Sequence, residues 1–293
     1  MTAEITRVGA TIDRLGEGLL WDDRRQLLYW CDAMEGRLHR LDPATGAHVE
    51  VATGKQIGSI ALREQGGAVA ALDDGFYFLD LETGASQPVT TFDLGRDDIR
   101  FNDGKVDRQG RFIAGGMHIR PPADGVYVGA MYRLDGALAA TLLESGIGNC
   151  NGPCFSPDGA TFYFSDSPRR QIYAYDYDPA FGALANRRVF ADTQQFNSPP
   201  DGATVDSEGF LWSAMVTGGC IVRFDPAGKV ERIIETPVRH PTNVAFAGPA
   251  LDTLYATSIS RSPNIAATEP EAGGLFAIHG LGVKGLAEPR FRR

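Results

Sequence analysis

The stretch NGPCFSPDGATFYFSD, residues 151–166, contains the pattern that decides the fold. A polar residue is followed by a glycine, a short apolar run, a polar turn and an aromatic-rich strand. Five further copies follow this pattern: GEGLLWDDRRQLLYWCD (16–32), GSIALREQGGAVAAL (58–72), NDGKVDRQGRFIAGG (102–116), DGATVDSEGFLWSAM (201–215) and TNVAFAGPALDTLYATS (242–258). Equivalent residues of successive copies lie 42 to 50 positions apart, counted from Glu17, Ser59, Asn102, Asn151, Asp201 and Asn243. A repeat of that length made of short strands is typical of a β-propeller.

A second repeated element lies downstream of each copy. It is an alternating apolar strand closed by a turn rich in Asp, Pro or Gly, as in GRLHRLDPATG (36–46) and GCIVRFDPAGK (219–229). The first element supplies two strands, the second supplies a third, and the short run after its turn supplies a fourth. Six such units predict an all-β, six-bladed β-propeller of four-stranded antiparallel blades, with residues 1–293 as a single domain.

Closure of the ring and the lengths of its loops give two further predictions. The N-terminal strand, residues 5–12, is expected to complete the last blade beside residues 281–288. Two units carry extra residues between their second and third strands, at about 116–129 and 258–273. Both connections would lie on the face where the repeats begin, so they predict a partial lid over that face, with tolerated surface insertion as the alternative.

Composition and charge indicate which binding partners and which cellular location to expect. The net charge of -9 and the pI of about 5.1 argue against a nucleic-acid or anionic-membrane surface. The four cysteines form no Cys-x-x-Cys pair, and the N-terminal stretch MTAEITRVGA has no secretory pattern. No apolar run reaches membrane-spanning length. We therefore expect a cytoplasmic protein that is a monomer or a weak homo-oligomer.

The first residues of the repeats should meet at the axial mouth of the ring. Glu17, Asn151 and Asp201 occupy equivalent positions in three blades. Asn and Asp also occur in turns, where they bind local backbone, but Glu has no special role in turns. Two carboxylates and one amide oxygen predict a site for one divalent metal ion. The expected ion is Ca²⁺, and Mg²⁺, Mn²⁺, Zn²⁺ and Fe²⁺ are also compatible with these ligands. Three protein ligands would leave open positions, as a catalytic metal requires.

Further candidates surround this position. Arg100 lies two residues before Asn102, so both side chains should point to the same side of a strand. A guanidinium at the mouth would bind substrate hydroxyls, and the alternative is an ion pair with Asp97 or Asp98. Asp103 and Met117, which opens the first long connection, complete the predicted substrate-binding set of Arg100, Asn102, Asp103 and Met117.

Five ordered motifs carry a family resemblance along the whole chain. LGEGLLWD, RFNDGKVDRQGRF, NGPCFSPDGATFYFSDS, PDGATVDSEGFLWSA and PTNVAFAGPALDTLYATS resemble the senescence marker protein/gluconolactonase family, which includes regucalcin. The resemblance implies a six-bladed propeller with one central divalent metal. It implies Glu17, Asn151 and Asp201 as its ligands, Arg100 and Asn102 as substrate-binding residues, and Asp201 as a general base. Two departures are Ala114-Gly115-Gly116-Met117, where relatives commonly carry a Gly-Thr-Met stretch, and NGPC in place of NGLA.

The predicted function is metal-dependent hydrolysis of a small-molecule sugar lactone, such as glucono-, xylono- or arabinolactone, to the aldonic acid. The metal would hold the carbonyl oxygen, and Asp201 or a water held by the metal would be the working base or nucleophile. The sequence contains no Gly-x-Ser-x-Gly motif, so we do not expect a covalent acyl-enzyme. Three alternatives stay open: another metal-dependent ester or organophosphate hydrolase, a calcium-binding regulatory protein like regucalcin, and a non-catalytic docking scaffold.

Overall fold

Six four-stranded antiparallel sheets surround one axis, and they confirm the predicted six-bladed β-propeller. The computed structural model describes residues 3–94 and 96–293. The described residues contain almost only strands and turns. The two helical segments are 3-10 turns at Ser167–Arg169 and Gln194–Phe196. No helix in these ranges is long and apolar enough to span a membrane.

The strands follow the chain from the axis outward in each of the first five blades. Strand β1 (Glu4–Val8) precedes them. Blade 1 contains β2 (Gly16–Asp22), β3 (Leu27–Asp32), β4 (Arg37–Leu41) and β5 (His48–Ala52). Blade 2 contains β6 (Ile57–Leu62), β7 (Ala68–Leu72), β8 (Gly75–Leu79) and β9 (Ser86–Thr91). Blade 3 contains β10 (Ile99–Val106), β11 (Phe112–His118), β12 (Gly129–Leu134) and β13 (Ala140–Ile147).

The second half of the chain continues in the same order. Blade 4 contains β14 (Cys150–Phe155), β15 (Thr161–Asp166), β16 (Gln171–Asp178) and β17 (Ala183–Asp192). Blade 5 contains β18 (Pro200–Val205), β19 (Leu211–Met215), β20 (Cys220–Phe224) and β21 (Val230–Glu235). Blade 6 contains β22 (Pro241–Ala247), β23 (Thr253–Ser258) and β26 (Leu275–His279), and a small hairpin of β24 (Arg261–Ser262) and β25 (Ile265–Ala266) lies between the last two.

The N-terminal strand closes the ring, as predicted, but beside a different segment. Strand β1 is the outermost strand of blade 6 and pairs antiparallel with β26, with Glu4 opposite His279 and Val8 opposite Leu275. The expected partner, residues 281–288, was wrong. Because β1 directly follows β26 in the sheet, it takes the fourth-strand position itself.

The C-terminal segment, residues 281–293, runs across the face opposite the repeat starts. It bonds in turn to several blades: Lys284 O accepts from Ser207 N, Phe291 N donates to Leu62 O, and Arg292 N donates to Gly110 O. Phe291 is fully buried and belongs to the apolar cluster between blades 2 and 3. This segment therefore ties the first, middle and last parts of the ring together on one face.

Apolar packing between neighbouring blades forms the core. Each main cluster takes residues from two adjacent sheets, as where Phe76 of blade 2 meets Phe101 and Phe112 of blade 3. Trp212 of blade 5 packs edge-on against Phe246 of blade 6 at 5.9 Å. Because a single sheet leaves its faces uncovered, each blade depends on its neighbours for burial.

Each inner strand breaks its register near its first residue. The shifts fall between Glu17 and Leu20 in blade 1, and between Asn151 and Cys154 in blade 4, with equivalent shifts in the other four inner strands. A bulge of this kind re-aims side chains and increases local twist. Six bulges at one level therefore turn the first residues of the repeats toward the axis.

Candidate active site

A cavity of about 490 Å³ opens at the axial mouth, on the face where the repeats begin. Its floor contains the predicted residues Glu17, Arg100, Asn102, Asn151 and Asp201. The structure therefore brings residues that are up to 184 positions apart in the sequence to one place. These residues come from the inner strands of four different blades, and the bulges of those strands turn them toward one place.

Both long connections line this same cavity, as expected for a partial lid. The first contributes Ile119, Pro121 and Tyr127, and the second contributes Ile259 and Ile265, among others. The second connection is also anchored to the N-terminal side of blade 1. Asp13 N donates to Gly273 O at 2.8 Å, and Ser260 Oγ donates to Asp13 O at 2.6 Å.

The carboxylates of the floor are buried and poorly compensated. Burial raises the pKa of Glu17 well above its usual range, and the negative charges of Asp201 and Asp103 raise it further while Arg100 opposes the rise. Burial, with the charge of Asp103, also raises the pKa of Asp201 well above its usual range. Glu17 Oε2 has no hydrogen-bond partner among the described residues. Such a group is costly to bury unless a positive charge compensates it.

A chain of hydrogen bonds fixes the amides and connects three blades. Asn102 Nδ2 donates to Asn151 Oδ1 at 2.6 Å, and Asn151 Nδ2 donates to Ser167 Oγ at 2.7 Å. Ser167 Oγ donates in turn to Pro200 O at 2.6 Å, directly before Asp201. With its nitrogen committed to Ser167, Asn151 keeps its oxygen as the acceptor on the other side of the amide. The amide oxygen is therefore preset for a ligand.

Arg100 lies at the mouth and does not form the alternative ion pair. Asp98 instead accepts two hydrogen bonds from Arg96, at 2.8 and 3.0 Å. Arg100 is buried, and its Nη1 donates to Phe101 O at 2.8 Å and to Asn102 Oδ1 at 3.2 Å. The guanidinium has five N–H donors, so donors remain for a ligand in the cavity. Arg100 and Asn102 line the same side, as strand alternation predicted.

Met117 lines the mouth cavity, whereas Asp103 lies below its floor. Asp103 borders a separate small cavity in the channel of the ring and accepts a hydrogen bond from Gly152 N at 2.8 Å. Burial raises the pKa of Asp103 to about 6, although Gly152 N–H, Lys105 and Arg100 oppose the rise. The charge of Asp103 therefore acts on Glu17 and Asp201, but its side chain does not line the mouth cavity, contrary to the predicted substrate-binding role.

The donor set suits a hard divalent cation. The buried, unpartnered Glu17 Oε2 and the neighbouring Asp201 need positive charge, and oxygen donors are the ligands that Ca²⁺, Mg²⁺ and Mn²⁺ prefer. Among residues 3–94 and 96–293, no three histidine, cysteine or carboxylate side chains come together as a metal site. A cation held here would therefore depend on the amide oxygen of Asn151 in addition to Glu17 and Asp201.

Glycine follows Asn151 for a geometric reason. Gly152 has a φ of 51°, in the left-handed region, and a Cβ there would stand 2.7 Å from Ala203 Cβ and 2.8 Å from Ala203 N. A side chain would therefore push blades 4 and 5 apart beside Asn151 and Asp201. The Asn-Gly pair that reads as a turn signal in the sequence is a close contact between two inner strands.

Sequence reasoning missed three side chains that shape the cavity. Ser167 links Asn151 to blade 5, and Asn149 Oδ1 accepts from Asn102 Nδ2 at 3.2 Å. His118 is buried, and its Nε2 accepts a hydrogen bond from Val128 N at 3.1 Å, so it fastens the first connection. Asn149 could have been found from its position two residues before Asn151, but no sequence signal identifies Ser167.

The chain is similar in sequence and in structure to several known proteins. The chain is 40% identical over 281 residues to 6-deoxy-6-sulfogluconolactonase of Pseudomonas putida, covering 94% of each protein. It is 36% identical to pentonolactonase XacC of Haloferax volcanii, covering 98% of this chain and 97% of that protein. A solved structure described as a calcium-binding protein, regucalcin, from Agrobacterium tumefaciens superimposes with a TM-score of 0.90 at 28% identity, covering 98% and 97% of the two chains.

The family model described as the SMP-30/gluconolactonase/LRE-like region matches residues 15–260. This range contains all the predicted site residues and the five motifs on which the resemblance rests. By this match and by the identity to its relatives over nearly the whole length, the chain belongs to the SMP-30/gluconolactonase/LRE-like family.

Proposed function

We propose that this protein hydrolyses a sugar lactone to the open aldonic acid with the help of one divalent metal ion. The observation that carries the proposal is the pair of buried, poorly compensated carboxylates Glu17 and Asp201 at the floor of an open cavity, with Glu17 Oε2 left without a hydrogen-bond partner among the described residues. Relatives at 40% and 36% identity are named as lactonases of sugars, which supports the same chemistry here.

Glu17, Asn151 and Asp201 would hold the metal. A bound divalent cation supplies Lewis-acid polarisation of the lactone carbonyl. The hydrogen-bond chain through Asn102 and Ser167 keeps Asn151 in place before substrate arrives and ends on the backbone of Pro200, next to Asp201. Preset ligands and donors lower the reorganisation needed in the transition state.

Arg100 and Asp201 would act on the substrate. The free N–H groups of Arg100 bind a hydroxyl or the oxygen on which negative charge develops. Asp201 takes a proton from the attacking water as its oxygen bonds to the carbonyl carbon. The bond from that carbon to the ring oxygen then breaks, and the ring oxygen receives the proton that Asp201 took from the water. Without metal, burial and the charge of Asp103 raise the pKa of Asp201. A bound cation would lower this pKa again, so Asp201 would carry the negative charge that a general base needs.

Asn102, which the sequence predicts to bind substrate, has most of its hydrogen-bonding groups occupied by the protein. Its Nδ2 already donates to Asn151 Oδ1 at 2.6 Å and to Cys150 O at 3.0 Å, and its Oδ1 accepts from Arg100. We infer that Asn102 mainly positions Asn151 and Arg100, and that Arg100 makes the direct contact with substrate hydroxyls.

Assay after chelation tests the proposal. The purified protein is stripped with a chelator and assayed on gluconolactone, xylonolactone, arabinolactone and galactonolactone, with spontaneous opening subtracted. We expect no hydrolysis above background until Ca²⁺, Mg²⁺, Mn²⁺ or Zn²⁺ is restored. The absence of metal-dependent hydrolysis on every lactone would refute the proposal.

Two other outcomes would favour the alternative functions. Faster turnover of phosphotriesters than of any lactone would indicate an organophosphate hydrolase on the same site. Tight Ca²⁺ binding by calorimetry without turnover of either class would indicate a calcium-binding regulatory protein. A matched variant, Glu17→Gln, removes one ligand charge and should weaken metal binding in all of these cases.

A further inference from the structure

The mouth cavity is larger than a simple sugar lactone. It measures about 490 Å³. A hexonolactone has roughly 12 non-hydrogen atoms and, at the ~30 Å³ that one water occupies in the liquid, fills no more than about 360 Å³. If the lactone carbonyl lies against the polar floor, the remaining space surrounds the other end of the substrate.

The walls around that space are largely apolar. Ile119 and Tyr127 of the first connection face it, as do Ile259 and Ile265 of the second and Val216 of blade 5. Ile119, Tyr127, Val216 and Ile265 are only half-buried in the absence of a ligand. The lining also contains the polar side chains Gln56, Thr217, Ser262 and Asn264. Hydroxyls placed against the apolar part of the wall lose water without gaining a partner, whereas an apolar group gains by burial.

The walls also lack a positive charge. Among the described residues that line the cavity, Arg100 is the one arginine or lysine, and it lies at the floor. Each connection carries an arginine, Arg120 and Arg261, but both are exposed and neither lines the cavity. In β24 the neighbouring Ser262 faces the cavity, so strand alternation directs Arg261 away from it. An anionic group at the wall would be partly desolvated without a partner.

We propose, on the basis of the function above, that this site takes an uncharged lactone whose end remote from the carbonyl is apolar. It therefore discriminates against lactones with an anionic group at that end, such as the sulfonated lactone for which its relative from Pseudomonas putida is named. The selectivity comes from the two connections and not from the metal-binding floor.

Three D-glucono-1,5-lactones that differ only at carbon 6 test this proposal. They carry a methyl, a hydroxymethyl or a sulfomethyl group, so the reacting end is identical in all three. With the metal-loaded protein, we expect kcat/KM to be about threefold higher for the methyl than for the hydroxymethyl compound. For the sulfomethyl compound it should be at least about 100-fold lower than for the hydroxymethyl compound.

Variants of the wall separate selectivity from catalysis. Ile265→Arg places a cation in the wall and should raise kcat/KM at least tenfold for the sulfomethyl compound relative to the hydroxymethyl compound. Val216→Lys, on a different element, repeats the test if the first variant folds poorly. Arg261→Ala is the matched control on the same connection and should leave all three values unchanged.

Three results would overturn the proposal while leaving lactone hydrolysis intact. The kcat/KM for the sulfomethyl compound could lie within tenfold of that for the hydroxymethyl compound, or the kcat/KM for the hydroxymethyl compound could exceed that for the methyl compound. Arg120→Ala or Arg261→Ala could also lower kcat/KM for the sulfomethyl compound alone. Failure to open any of the three lactones, or any lactone of the earlier assay, would instead refute the proposed function.

Discussion

The two ends of strand β18 each present a buried aspartate, and the two environments are opposites. Asp201, at the mouth, lies beside other carboxylates, and burial with the charge of Asp103 raises its pKa well above the usual range. Asp206, at the opposite face, accepts hydrogen bonds from Trp212 Nε1 at 2.9 Å and from Arg223 at 2.9 and 2.7 Å. The protein compensates the carboxylate of Asp206 with charged and neutral donors, whereas the carboxylate of Asp201 lies beside like charges.

The same contrast holds for the two faces as a whole. At the opposite face, Asp107 accepts from Tyr177 and Arg111 at 2.5 Å each, and Lys105 pairs with Glu288 of the C-terminal segment at 2.6 Å. At the mouth, Glu17 Oε2 has no partner among the described residues. Paired buried charges specify and support a fold, whereas unpaired ones are retained at a cost in stability and indicate a binding site.

Exchanging each of these two aspartates for asparagine gives the largest predicted effect. Asp201→Asn should reduce kcat by at least about 1000-fold, since it would remove the proposed base and one proposed metal ligand together. Its folded state should be as stable as wild type or more stable without metal, because a repelled carboxylate is gone. Turnover on a responsive lactone and denaturant unfolding in chelator measure the two effects.

Asp206→Asn is the matched control with the reverse pattern. It leaves the buried Arg223 with a weaker partner, so we expect a loss of roughly 3 kcal/mol in the free energy of unfolding. Its kcat, per folded molecule, should stay within about twofold of wild type. Near-normal turnover in Asp201→Asn, or equal stability losses in the two variants, would erase the distinction between the two ends of β18.

The C-terminal segment offers a second way to separate the faces. Phe291 is fully buried between blades 2 and 3, so Phe291→Ala should cost about 3 to 4 kcal/mol of stability. Activity at a temperature where the variant is folded should be unchanged, because the cavity lies at the other face. Thermal unfolding and turnover report the two effects.

Phe181→Ala provides the surface control for this deletion. Phe181 is 75% exposed on the connection between β16 and β17, and its loss should change stability by no more than about 0.5 kcal/mol. Equal Tm values for the two alanine variants would show that the C-terminal segment does not support the ring.

The comparison also shows what the sequence could predict. The repeat length and the alternation of apolar residues specify blades, strand order and the face of the long connections. Glu17, Asn151 and Asp201 could be brought together because equivalent positions of repeats must meet at the axis.

What the sequence could not supply depends on contacts between distant residues. Nothing in the pattern around Ser167 shows that it would connect Asn151 with Pro200. Periodicity could not distinguish Asp103, one residue after Asn102, from a cavity residue, because the bulge changes which side chains face the mouth. The predicted pairing of the N-terminal strand with residues 281–288 was wrong. The chain after β26 is rich in turn-forming residues, and such a composition does not specify where the segment runs.

The smallest predicted effect concerns Asp103, which lies between the two faces. Burial raises its pKa to about 6, so the folded protein holds a proton that the unfolded chain releases at lower pH. Stability in chelator should therefore fall as pH rises from about 4 to about 6 and then level off, apart from other groups. Asp103→Asn should reduce this slope, which denaturant unfolding across pH 4 to 8 measures. An unchanged slope would mean that Asp103 is already ionised at low pH and belongs, in its energetics, with the compensated carboxylates of the opposite face.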